Sequence, residues 1–86
     1  PRFRKKPVVI EAERFSGDAA TPLPFRGQGV CCFDGDEGRW YVMTREGPLT
    51  ISDGDWIIKG VKGEFYPIKD DIFRATYEAV VEARNQ

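Results

Sequence analysis

The sequence predicts a small, mainly β domain, either barrel-like or a two-layer antiparallel fold, with six or seven short strands and at most a short helical turn. Apolar residues recur at every second position in several short runs, as they do on half-buried strands. Groups of Gly, Pro and Asp separate these runs, which is typical of antiparallel folds with tight turns. At 86 residues, the chain is expected to form a single domain, 1–86.

The first predicted strand spans residues 8–15, where alternating residues lead into the turn residues 16–18. The preceding segment, 1–6, carries four of the thirteen basic residues, among them Arg4 and Lys5. We expect it to be a flexible basic arm. Such arms bind phosphate groups in some proteins, and simple solvated termini have the same composition, so both interpretations stay open.

The centre of the chain predicts a loop followed by a β-hairpin. Residues 19–29 contain two prolines and two glycines without a clear period, which indicates a surface loop with Leu23 and Phe25 turned inward. The hairpin that follows has two strands and a turn whose residues tolerate positive φ, at 30–33, 39–44 and 34–38. Trp40 and Tyr41 are neighbours on the second strand, so one faces inward and the other outward.

Three more strands are predicted at 49–51, 55–59 and 64–68. After them, Asp70 and Asp71 are expected to cap a helical turn that runs through Ile72 to Arg74. The tail from 75 to 83 fits a helical stripe and a strand pattern equally well. We predict a strand at Thr76–Val81.

Composition excludes several classes of function. Histidine is absent, which removes the commonest general base and the commonest transition-metal ligand. We therefore expect no enzyme activity, no cofactor and no metal. The net charge of −1 argues against duplex nucleic acid as a partner, and no apolar run reaches the roughly 20 residues of a membrane span. We expect a cytoplasmic protein with no membrane partner.

The adjacent Cys31 and Cys32 are expected to point to opposite faces of a strand, so they do not bridge each other readily. Free cysteines of this kind are usually small core residues. A reactive thiol or an intermolecular disulfide is the alternative. Edge strands of a small β domain also make a homodimer a natural outcome.

Two motifs resemble a family of small bacteriophage and prophage proteins of unknown function, some of which are labelled after a Pro-Gly-Asp-Tyr-Gly signature. The motifs are RKKPVVIEA at residues 4–12 and GDWIIKGVKGEFYP at residues 54–67. The resemblance extends to residues 71–73 and 76–78 and is loose from 16 to 46. The chain departs from the family pattern where Asp53 replaces a usual proline, Ile68 a common cysteine, and Asp70 a frequent proline.

The resemblance implies a phage-encoded accessory protein of the infected host's cytoplasm, and it supplies no catalytic residues. Our first hypothesis is a non-catalytic protein that binds and inhibits a host protein during infection. The alternative is a sponge for a nucleotide or signalling molecule in counter-defence. For that alternative, the predicted binding patch places Lys59 and Lys69 beside Trp56 and Tyr66, with Lys62 in the adjoining turn. The same residues also fit an aromatic core with solvated lysines.

A remote third hypothesis is a carboxylate-based hydrolase that uses Asp53 and Asp55 on either side of Gly54. The simpler interpretation is a turn. In it Asp55 accepts hydrogen bonds from backbone amides, and Gly54 adopts a conformation closed to residues with a Cβ atom.

Overall fold

The computed structural model describes residues 1–3 and 7–80, in which six strands and one helix form. In chain order these elements are β1 (Glu11–Arg14), β2 (Cys31–Asp34), β3 (Arg39–Thr44), β4 (Gly47–Ile51), β5 (Trp56–Lys59), β6 (Phe65–Ile68) and α1 (Asp70–Thr76). The predicted mainly β, two-layer antiparallel class is confirmed. The strands form two separate sheets, so the barrel-like alternative is not the one that these residues adopt.

Each sheet has three antiparallel strands. Sheet I has the order β1-β5-β6 and sheet II the order β2-β3-β4. Sheet II is a meander of sequence neighbours, whereas sheet I pairs β1 with the distant β5 and sets Glu11 opposite Lys59. Backbone bonds prolong that pairing, because the Phe15 amide donates to the Asp55 carbonyl at 2.7 Å and the Gly54 amide donates to the Phe15 carbonyl at 2.9 Å.

The inner faces of the two sheets share one hydrophobic core, made of Phe15, Phe25, Val30, Val42, Ile51 and Ile57. Phe25 is buried and Leu23 is partly buried against this core, as the loop pattern predicts. Phe25 has a φ of +53°, and a residue with a Cβ atom in this region carries about 1–3 kcal/mol of strain. Burial of a phenylalanine side chain stabilises by a similar amount, about 1.5–3 kcal/mol, and its ring packs edge-on against Phe65 at 5.1 Å.

Helix α1 packs against the opposite face of sheet I. Phe73 of the helix stacks on Trp56 of β5 with ring centroids 4.1 Å apart. On this side of the sheet Ile58 is completely buried. Sheet I is therefore covered on both faces, by sheet II and by α1.

The first strand is shorter than predicted. It begins at Glu11 rather than at residue 8, and Val8 and Val9 are 47% and 75% exposed. The reason lies in its partner, since β5 ends at Lys59, which pairs with Glu11. Gly60 then starts a turn in which its amide donates to the Glu64 carbonyl at 2.7 Å.

The predicted strand at Thr76–Val81 is wrong over the residues that the structure describes, and Val81 lies outside them. The helix continues to Thr76, whose hydroxyl donates to the Ile72 carbonyl at 2.8 Å. Tyr77 is extended, and no strand follows up to residue 80. The ring of Tyr77 stacks on Phe73, so packing on the helix decides between the two patterns that the sequence leaves open.

The predicted capping role of Asp70 and Asp71 is also wrong. Lys69 occupies the N-cap position and makes no capping bond with its side chain, while both aspartates lie in the first turn. The Asp70 carboxylate instead accepts hydrogen bonds from the indole of Trp56 at 2.8 Å and from the guanidinium of Arg74 at 3.0 Å. The bond from Trp56 anchors the helix to β5, and the bond from Arg74 lies within the helix.

Candidate functional site

One face of sheet II is not covered by any described element. Its inner face lies on the core through Val42 and Ile51. The alternating residues point the other way, and we call the surface they form the outer face: Cys32, Asp34, Arg39, Tyr41, Met43, Pro48 and Thr50. An open depression of ≈ 530 Å³ lies over most of these side chains.

The outer face has an apolar end. Met43 lies directly opposite Pro48, and Tyr41 lies opposite Thr50 on the neighbouring strand. Met43 is 57% exposed, in contrast with the fully buried Ile58 on the covered side of sheet I. This part of the outer face combines an exposed thioether, a proline ring and a phenol.

The opposite end of the outer face is charged and is held by the β2–β3 turn. The Asp34 carboxylate accepts hydrogen bonds from the amides of Asp36 at 3.0 Å and Glu37 at 3.2 Å, so it fixes the turn. Arg39 pairs with Glu37 at 3.5 Å, and both side chains are well exposed. Within the described residues no group of three or more His, Cys, Asp or Glu side chains is placed to hold a metal ion.

The two cysteines lie on opposite sides of β2, as predicted, and both are free. Cys31 packs against the core, and burial, followed by the nearby Cys32 and Glu13, raises the pKa of its thiol to about 11. Its thiolate is therefore scarce at neutral pH, which makes it a poor nucleophile. Cys32 lies on the outer face beside Tyr41, and this contact raises the pKa of the tyrosine.

The residues of the predicted lysine–aromatic patch do not share one surface. Trp56 and Tyr66 lie on the side of sheet I that α1 covers, since Tyr66 is opposite Ile58 and Trp56 stacks on the helix. Lys59 lies on the other side, opposite Phe65. Its ammonium group is 6.0 Å from the Phe65 ring centroid and 3.9 Å from the Glu11 carboxylate.

Lys69 and Lys62 each form hydrogen bonds with an acidic residue. Lys69 donates to both oxygens of Asp55, at 3.1 and 3.2 Å. Lys62 is exposed in the turn after Gly60, where its backbone amide donates to the Glu64 carboxylate. The expectation that Lys59 and Lys69 line one surface beside Trp56 and Tyr66 is therefore wrong for Lys59. Whether the protein binds a nucleotide stays a prediction.

Trp56 and Tyr66, the aromatic residues of the predicted patch, are half-buried. Trp56, Phe73 and Tyr77 form a continuous stack, with centroid distances of 4.1 and 5.3 Å. Desolvation, followed by the neighbouring Tyr77 hydroxyl, raises the pKa of Tyr66 to about 12. The stacked rings attach α1 to sheet I, and they lie outside the shared hydrophobic core.

A second concave area, of ≈ 340 Å³, lies beside this stack, between the segment before β1 and the residues after α1. Its lining is largely apolar and includes Val8, Ile10, Ala12, Trp56 and Val80. Segments 4–6 and 81–86 lie outside the residues that the structure describes. The predicted binding residues Arg4 and Lys5 lie in the first of these segments.

Asp53 and Asp55 have the turn role that the sequence predicts. Asp55 is only 4% exposed, and its carboxylate accepts a hydrogen bond from the Ser52 amide at 2.9 Å. Asp53 accepts one from the Gly17 amide at 2.7 Å. Between them, Gly54 has a φ of +93°, which explains why a glycine stands there.

The sequence contained part of the signal for the outer face. It predicts that Trp40 and Tyr41 face opposite ways, and Trp40 indeed packs against Phe15 of the core at 5.6 Å. It did not single out Met43, Pro48 and Thr50, because strand register decides which residues come together.

No helix among the described residues has the length and apolar character needed to cross a membrane.

The chain was compared with models of protein families, with curated proteins and with solved structures, and none of the three comparisons gave a match.

Proposed function

We propose that this protein is a non-enzymatic binding protein that docks a protein partner on the outer face of sheet II. The observation that carries this proposal is the uncovered apolar end of that face, where Tyr41, Met43 and Pro48 meet. Tyr, Met and Arg are enriched at the centres of protein–protein interfaces, whereas Lys and Glu are depleted there. Arg39 adds a guanidinium group on the same face.

The resemblance to phage proteins supplies the biological part of the proposal. The partner is then a host protein in the bacterial cytoplasm, and occupation of its surface inhibits it during infection. A sheet face is suited to this role, because its backbone is ordered before binding and therefore loses little conformational entropy.

The test uses a photo-crosslinking amino acid at position 43, incubated with bacterial lysate. The matched control carries the same group at Val61, which is 70% exposed in the turn between β5 and β6 and does not belong to the outer face. The proposal predicts one discrete host protein crosslinked from position 43 and not from position 61. The purified partner is then titrated with Met43→Glu and Val61→Glu proteins.

Met43→Glu is expected to weaken binding by about 2 kcal/mol or more, the size of a central interface residue, and to relieve inhibition of the partner. Val61→Glu should bind like the unmodified chain. Equal crosslinking from both positions would contradict the proposal, as would a complex that tolerates Met43→Glu.

A further inference from the structure

We infer that the exposed edge of β2 is a self-association site, at which two copies of this chain pair their β2 strands antiparallel across a two-fold axis. This inference does not depend on the proposed function. It rests on how differently the four edge strands of the two sheets are built.

Three of the four edge strands carry features that oppose further strand pairing. In β1, three of the four residues are charged. β4 contains Pro48 and β6 contains Pro67, and a proline removes an amide donor from the edge. The remaining edge strand is β2.

The edge of β2 lacks such protection. Cys31, Cys32 and Phe33 are uncharged and retain their amides, and the one charged residue, Asp34, comes last and binds the turn. β2 pairs with β3 on one side. Within the described residues, no backbone hydrogen bond from outside the sheet reaches residues 31–33. Phe33 is 55% exposed.

A second copy fits this edge because the strand is complementary to itself. A two-fold axis perpendicular to the sheet leaves each side chain on its own face of the sheet. Because directly opposite residues of antiparallel strands share a face, the axis must lie midway between the two copies of one residue. Centred on Cys32, it pairs the two Cys32 residues and sets each Cys31 opposite Phe33 of the other copy. Apolar groups then meet apolar groups, and the two Asp34 residues are about 13 Å apart along the strands.

A centre at Asp34 would place two carboxylates directly opposite each other, which destabilises a strand pair. A centre at Phe33 would draw Gly35 into the ladder, although Gly35 belongs to the β2–β3 turn. The Cys32 centre avoids both problems. It joins the two copies of sheet II into one six-stranded sheet with a continuous outer face.

The pairing makes a chemical prediction at Cys32. Directly opposite residues in antiparallel strands have Cα atoms about 4.5–5.5 Å apart, within the range that a disulfide spans. Two Cys32 thiols can therefore lose two protons and two electrons to added diamide, forming one S–S bond and the hydrazine form of the reagent.

The first experiment compares two single-thiol proteins under diamide. Cys31→Ser retains only Cys32, and the control Cys31→Ser/Cys32→Ser/Thr50→Cys places one thiol on the outer face at the opposite edge of sheet II. We expect the Cys32 protein to form a covalent dimer at least about tenfold faster, since its thiols are held at disulfide distance. Equal rates would mean random collision and would overturn the inference.

The second experiment measures association without a covalent bond, by sedimentation equilibrium. Cys32→Lys brings two ammonium groups face to face, and we expect the dissociation constant to rise about tenfold or more. Thr50→Lys, on the same face, should leave it unchanged. A chain that stays monomeric up to about 1 mM, the weak end of measurable affinities, contradicts the inference. If Cys32→Lys fails to fold, the crosslinking rates decide.

Discussion

Replacing Asp55 with alanine should destabilise this protein more than any other change at a single carboxylate. The side chain is 4% exposed, accepts a hydrogen bond from the Ser52 amide at 2.9 Å, and receives the Lys69 ammonium group at 3.1 Å. The turn that it closes also carries the Asp55 carbonyl to which Phe15 donates. Loss of the carboxylate therefore loosens the junction between β1 and β5.

The contributions are unequal. A hydrogen bond to a charged acceptor contributes about 1.5–3 kcal/mol, and its loss leaves the Ser52 amide without a partner. The ion pair with Lys69 adds at most about 1 kcal/mol, because the lysine side chain is 59% exposed. We expect Asp55→Ala to lower the free energy of unfolding by about 2–3 kcal/mol. This equals a fall in Tm of roughly 10–20 °C for a domain of this size.

Asp55→Asn and Lys69→Met separate the two contributions. Asparagine retains an acceptor for the Ser52 amide and loses only the charge, and Lys69→Met removes only the charge of the lysine. Each variant should therefore lower the free energy of unfolding by only about 0.5–1 kcal/mol. Urea unfolding followed by tryptophan fluorescence measures all three. If Asp55→Asn costs as much as Asp55→Ala, the ion pair rather than the amide bond holds the turn, and the reasoning fails. A cost below about 0.5 kcal/mol for alanine, typical of an ordinary surface position, would refute it outright.

Two further predictions concern the turns and the helix. Gly54→Ala should destabilise by about 1–3 kcal/mol because its φ is +93°, whereas Gly35→Ala, with open space around its Cβ position, should be close to neutral in the same urea titration. Hydrogen bonds from the Trp56 indole and then Arg74 lower the pKa of Asp70 from its ordinary value of 3.8. The stability that the ionised form contributes is therefore present above pH 3.8 and disappears as the pH falls through the lower folded-state pKa. Asp70→Asn should therefore have a lower Tm than the unmodified protein at neutral pH, and its Tm should fall less steeply as the pH is lowered. Curves of Tm against pH that run parallel for the two proteins would contradict this prediction.

The hairpin of β2 and β3 illustrates what the sequence determines locally. Strand β3 occupies residues 39–44 as predicted, because its alternation of inward and outward residues agrees with the turn before it. Gly38 in that turn has a φ of +66°, and the Asp34 side chain binds the turn amides. Local pattern and local hydrogen bonding agree here, so no distant contact is needed to fix the strand.

The failures have two different origins. The start of β1 depends on a distant partner, the last residue of β5, which no local pattern shows. The residues after Phe73 fit two local patterns, and the stacking of Tyr77 on Phe73 decides between them. The expectation that Lys59 lies beside Trp56 is wrong for a reason that the sequence does contain. Trp56 and Lys59 are three positions apart on one strand, and an odd spacing puts them on opposite faces.

The position of the candidate site follows from the number of layers that the chain forms. Two sheets have four faces; their mutual contact buries two, and α1 covers a third. The fourth is the outer face, and folding requires nothing apolar there. A face that met only water would be stable with Thr, Lys and Glu at all its alternating positions, yet three of the seven positions hold Tyr41, Met43 and Pro48. We propose that a partner covers these residues on the one sheet face that the described chain leaves open.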